Sequence, residues 1–133
     1  MIVLDTDVIS ELMRRNPAPS MVARLGEVPA AEQCTTSVTI GELAYGARKV
    51  GRPELYERAL VLLRQTRVLS FDREAAEAYG RIRSDLERRG MRLADPDLRI
   101  AATAVVHRAT VITGNVRHFA RVEGLSVEDW LRA

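Results

Sequence analysis

Ile2-Val3-Leu4 is a run of apolar, partly β-branched residues that stops at an acid, Asp5. With no polar position left to face water, such a run reads as a strand buried on both faces. Strands of that kind belong to parallel sheets covered by helices on each side. The rest of the chain follows the same pattern. Further strands are expected at Gln33–Ser37, Val68–Phe71 and Ala109–Thr113, with a last short element from Ser126 to Trp130.

Helical stretches fall between them. Residues 7–14 place Val8, Ile9, Leu12 and Met13 on one face, and Pro17–Leu25 form a second short helix closed by Gly26. A third runs from about Ile40 to Val50 and is ended by Gly51. The next has Pro53 in its first turn, continues to about Thr66, and turns Leu55, Ala59, Leu62 and Leu63 inward. Asp72 caps a long helix that stops at Gly90, and Asp95-Pro96 opens another with Leu98, Ala101, Ala102 and Val105 on its apolar face. Strands alternating with helices imply parallel pairing through right-handed crossovers. The expected fold is therefore α/β: a three-layer sandwich with a central parallel sheet of four to five short strands.

Neither an internal repeat nor a linker interrupts the 133 residues, so one domain spanning 1–133 is expected. An acid at position 5 comes too early for a signal peptide, and no apolar run approaches the ~20 residues that cross a bilayer. A cytoplasmic protein without a membrane partner is the expectation. Cys34 is the only cysteine, which excludes an internal disulfide. All but one of the 20 basic residues are arginine, the exception being Lys49. That bias suits phosphate recognition, and equally a GC-rich genome.

Ligands of open parallel sheets bind beyond the carboxyl ends of the strands. Asp5 ends the first strand there. Glu42 is expected in the first turn of the helix after the second strand, and Asp97 in the first turn of the helix leading into the fourth. Asn115 follows the fourth strand in Thr113-Gly114-Asn115. Each position also has a purely structural use. Asp5 or Asp7 is placed to cap the first helix, Thr39-Ile40-Gly41-Glu42 matches a capping box, and Asp95-Pro96 matches an N-cap followed by proline. Singly, each acid fits either use; together they fall at one edge of the expected sheet.

Carboxylates that converge in one cleft repel unless a cation neutralises them. Such hard oxygen ligands select Mg²⁺ or Mn²⁺ over zinc, and the chain has only His107 and His118 and no CxxC pair to hold zinc. A cation held this way keeps positions open for water and phosphate.

Four blocks carry a resemblance over essentially the whole chain: Val3-Leu4-Asp5-Thr6-Asp7-Val8, Ile40-Gly41-Glu42-Leu43-Ala44-Tyr45-Gly46, Asp97-Leu98-Arg99-Ile100-Ala101-Ala102-Thr103-Ala104 and Thr113-Gly114-Asn115-Val116-Arg117-His118-Phe119. In order and spacing they resemble the PIN domain, in particular the VapC-type toxins of bacterial toxin–antitoxin modules. The resemblance implies an endoribonuclease dependent on Mg²⁺ or Mn²⁺, often acting on structured RNA such as tRNA. It also implies a homodimer and a small cognate antitoxin as partner. The family's acids fall on Asp5, Glu42 and Asp97, with Asp95 left as a helix cap. The fourth position is Asn115, a poorer metal ligand than an acid, and His118 stands where many relatives carry another acid. Thr6 and Thr113 are implied to hydrogen-bond in the pocket, or to serve as ordinary turn residues.

The expected chemistry is hydrolysis of an RNA phosphodiester by a metal-activated water, with Asp5, Glu42 and Asp97 as ligands and Asn115 orienting water or phosphate. Arg99 and Arg117, near the acids in sequence, are candidate RNA contacts. Arg14 and Arg15 are weaker ones, as are Arg48, Lys49 and Arg52; basic residues at helix ends also serve the helix dipole. The charged stretch Arg81–Arg92 reads as a solvated helix face. Leu12, Met13, Val22 and Leu25 read as core, or as part of a groove for an antitoxin helix. Two other functions compete: a catalytically degenerate nucleic-acid-binding domain of the same fold, and an Asp-x-Asp phosphohydrolase built on Asp5 and Asp7. The latter needs a lysine and a late acidic pair, and the chain offers only Lys49 and Gly114-Asn115.

Overall fold

A computed structural model describes residues 1–132. Five strands pair in parallel: β1 (Ile2–Leu4), β2 (Gln33–Thr36), β3 (Arg67–Leu69), β4 (Thr110–Ile112) and β5 (Ser126–Glu128), in the order β3-β2-β1-β4-β5. The most apolar strand is central, with Ile2 opposite both Gln33 and Thr110. Its alternation divides two cores. Val3 packs with Cys34, Leu69, Ile100, Val111 and Phe119 on one face. Ile2 and Leu4 pack with Val8, Ile9, Met21, Ile112 and Trp130 on the other. Val68 sits on the edge strand β3 and is correspondingly exposed.

Seven helices are described around this sheet: α1 (Thr6–Leu12), α2 (Pro19–Gly26), α3 (Ser37–Lys49), α4 (Glu54–Leu62), α5 (Arg73–Arg88), α6 (Asp95–Val106) and α7 (Val116–Phe119). None is long and apolar enough to cross a membrane. Asp72 caps α5 by accepting from the Ala75 amide at 3.0 Å. Beyond the helix, Gly90 takes φ +68°, a left-handed turn that costs glycine little. Six residues of α6 are buried, three of them alanine, so this helix lies close against its neighbours.

Several boundaries differ from the sequence reading, each for a local reason. Ser37 begins α3 rather than ending β2, because the Thr36 side chain caps the helix by accepting from the Thr39 amide at 3.1 Å. The Thr39–Glu42 capping box therefore does not form, and Glu42 lies in the second turn, not the first. Leu62 is 42 % exposed whereas Leu63 is 6 % exposed. The inward stripe is Leu55, Ala59, Leu63 at i, i+4 spacing, and Leu62 sits at its margin. Ala94, not Asp95, is the cap residue of α6; Asp95 is already helical, and its carboxylate accepts from the Tyr79 hydroxyl and from Arg99 Nε.

Candidate active site

The carboxyl ends of β1, β2 and β4 open into a recess of about 530 Å³ lined by Asp5, Thr6, Asp7, Glu42, Asp97 and Asn115, with Gly114, Leu131 and Arg132 completing its wall. Strand-to-helix junctions place Asp5, Glu42 and Asn115, whereas the start of α6 places Asp97. Asp5 is both the last residue before α1 and its N-cap, its Oδ1 accepting from the Thr6 amide at 2.8 Å. Its Oδ2 accepts from the buried Thr113 hydroxyl at 2.8 Å, across the β1–β4 pairing. Capping and site geometry thus use different oxygens of one carboxylate. Glu42, on α3, accepts from the Thr6 hydroxyl at 2.7 Å. Asp97 enters from the first turn of α6 and is half-buried.

The acids are electrostatically strained. Burial pushes Asp5 up from 3.8 to about 7, with the Thr113 hydroxyl and Thr6 amide pulling back and the Asp7 and Asp97 charges pushing further up. Asp97 is raised by burial and by the charges of Glu42 and Asp7, against a lowering by His118. Asp7 is raised by burial of its carboxylate, opposed by the hydrogen bond from the Gly114 amide. Among the described residues, no ion pair involves Asp5, Asp7, Glu42 or Asp97. The recess thus gathers carboxylates that no basic side chain pairs with, and the atoms they offer are all oxygen. That donor chemistry fits a hard divalent cation. Among the described residues, however, no three acidic, histidine or cysteine side chains are already close enough to form a finished ligand set.

Asp5, Glu42, Asp97, Asn115 and Thr6 line the recess as the sequence suggested, and Thr113 lies beneath it. Asn115 precedes α7, and its side-chain oxygen is engaged by His118 Nδ1. The four arginines behave differently. Arg99 pairs with Asp95 at 2.7 Å and its guanidinium lies over Phe71 and Tyr79, while Arg14 pairs with Glu11. Arg15 and Arg117 are exposed. None of the four lines the recess. Two charged residues that do were not among the site residues expected of the nuclease. Asp7 was readable there as a helix cap, though its position two residues after Asp5 was a usable signal. Arg132 lies in the C-terminal segment, where no periodicity points to it.

A second hollow of about 370 Å³ runs between α1, α3 and α4 and shares Thr6 and Glu42 with the acidic recess. Met13, Leu43, Ala47, Val50 and Leu55 make it largely apolar, with Arg14 and Arg58 beside them. Leu12, Met13 and Leu25 are half-buried against the core, whereas Val22 is exposed and Met21 takes the buried place on α2. A third hollow of about 540 Å³, between the end of α5 and the start of α6, matches the acidic recess in size but has only Glu87 and Asp95 as acids, beside Arg83 and Arg92. Chemistry rather than volume singles out the acidic recess.

A model of the PIN domain matches residues 2–125. The tRNA(fMet)-specific endonuclease VapC of Shigella flexneri is 35 % identical over 132 residues, 96 % of each chain. Toxin FitB of Neisseria gonorrhoeae is 33 % identical over 137 residues, covering 98 % of this chain and 99 % of FitB. Among solved structures, VapBC2 from Rickettsia felis, bound to a DNA fragment from its promoter, superposes with a TM-score of 0.86 at 28 % identity, covering 98 % of this chain and 99 % of that one.

Proposed function

This chain belongs to the PIN-domain family, and from that premise we propose that it is a divalent-metal-dependent endoribonuclease, the toxin of a type II toxin–antitoxin pair. The observation that carries the reading is the cluster of carboxylates without ion-pair partners at the carboxyl edge of the sheet. Asp5, Glu42 and Asp97 are the residues that would hold Mg²⁺ or Mn²⁺. When bound, such an ion supplies Lewis-acid activation of water and neutralises charge developing on the scissile phosphate.

The chain's own groups do the rest. The Thr113 hydroxyl and Thr6 amide hold the two oxygens of Asp5, and the Thr6 hydroxyl aims Glu42. Asn115 and Arg132 sit where an RNA phosphate would enter. Structured RNA such as tRNA is the proposed substrate, in keeping with the Shigella flexneri relative's name. Arg117 and Arg15, both exposed, are the remaining candidates for backbone contacts. A homodimer in the cytoplasm, acting as a single domain, completes the reading.

The partner is a small antitoxin that docks along the apolar hollow between α1, α3 and α4. Its shared border with the recess at Thr6 and Glu42 lets one ligand cover both. A phosphohydrolase built on Asp5 and Asp7 is disfavoured: Asp7 is tied to a backbone amide, and Lys49 is exposed at the end of α3. Calorimetric titration of Mn²⁺ into wild type and Asp97→Asn tests the nuclease reading against a degenerate binding domain. Carboxylate-dependent uptake supports the nuclease; heat identical in both proteins contradicts it.

A further inference from the structure

The turn after β4 is tied down residue by residue. The Thr113 hydroxyl donates to Asp5 at 2.8 Å, and the Asn115 amide donates to Thr113 Oγ1 at 2.9 Å. Between them, the Gly114 amide donates to Asp7 Oδ2 at 2.8 Å. Gly114 does not lie in the left-handed region, so its backbone conformation does not call for glycine. Space does. A Cβ at this position would lie 2.9 Å from Asp7 Oδ2 and 2.9 Å from Leu131 Cδ1. The chain's other seven glycines would all place a Cβ in open space. Gly114 is therefore the one glycine whose Cβ would crowd its neighbours, and those neighbours are two side-chain tips, the Asp7 carboxylate on one side and Leu131 on the other.

We propose that Asp7 is a positioning residue: its carboxylate clamps the Gly114 amide and so fixes the turn that brings the Thr113 hydroxyl to Asp5 and Asn115 to the recess. The inference rests on reading the recess as the active site. The clamp acts through an acceptor atom, because one amide needs one oxygen, and a carboxamide Oδ1 in the same place serves as well. Released from it, the turn gains freedom at the point where two site residues are held. A misplacement of about 1 Å costs on the order of 100-fold in rate.

The test combines amide exchange in ¹H–¹⁵N spectra with RNA cleavage at saturating Mn²⁺, on wild type, Asp7→Asn, Asp7→Ala and Gly114→Ala. Asp7→Asn should keep the Gly114 amide protected and kcat within about threefold of wild type, while Asp7→Ala unprotects that amide and lowers kcat about 100-fold with KM nearly unchanged. Gly114→Ala, whose methyl enters the clamp, should match Asp7→Ala. Unchanged Gly114 exchange in Asp7→Ala overturns the clamp whatever the activity. A kcat for Asp7→Asn as low as that of Asp7→Ala, with the amide still protected, also overturns it, because Asp7 then acts through its charge. If wild type cleaves no RNA, the nuclease reading fails while the exchange measurement still decides the clamp.

Discussion

Replacing Asp5 by asparagine should make the metal-free protein more stable at alkaline pH. Asp5 is only 6 % exposed, and burial lifts it from 3.8 to about 7. Between those values the folded state keeps the proton while the unfolded chain releases it. Folding is therefore favoured by the neutral acid at low pH, and that contribution is lost as pH rises through the window. The span from 3.8 to about 7 is worth about 4 kcal/mol, which for a chain of this length is about 10–15 °C in Tm. Asp7 and Asp97, raised in the same direction, add to the trend in both proteins.

The asparagine side chain would keep the shape and an acceptor for the Thr6 amide but cannot ionise. In EDTA, Asp5→Asn and wild type should melt together near pH 4, and the variant should melt about 10 °C higher at pH 8. Mn²⁺ at pH 8 should then raise the wild-type Tm well above any effect on the variant. A metal-free wild type whose stability rises from pH 4 to pH 8, or an Asp5→Asn that melts below wild type at pH 8, would refute the reasoning.

Two other outcomes follow from the packing and the hollow. Trp130 is buried, with the Arg24 guanidinium 4.8 Å from its ring and the Ser20 hydroxyl bonded to its carbonyl. Trp130→Ala should cost about 3–5 kcal/mol in urea denaturation. Val50 is 63 % exposed in the hollow between α1, α3 and α4. Val50→Glu should weaken binding of the purified antitoxin about 10- to 100-fold by calorimetry while leaving RNA cleavage unchanged.

Much of the architecture was legible because its signals are local. The apolar run at β1, the cap at Asp72 and the stop at Gly90 each act within a few residues, and all appear where the sequence put them. The three acids were legible because sheet topology carries strand ends to one edge. What was missed depends on how elements join and pack rather than on the residue pattern within one element. Thr36 rather than Thr39 caps α3 because β2 runs into the helix without a loop. Asp95 serves Tyr79 and Arg99, sixteen residues before it and four after, instead of capping its own helix. The hold of Asp7 on the turn after β4 became visible only through a hydrogen bond spanning 107 positions.

The central claim is that Asp5, Glu42 and Asp97 form a metal-dependent ribonuclease site. Its most direct test is cleavage of a structured RNA such as tRNA by purified wild type and Asp97→Asn, with Mn²⁺, with EDTA, and with Mn²⁺ restored after EDTA. Cleavage by wild type alone, abolished by EDTA and recovered with the metal, is the predicted result. Cleavage that persists in EDTA, or that Asp97→Asn retains at the wild-type rate, would contradict it.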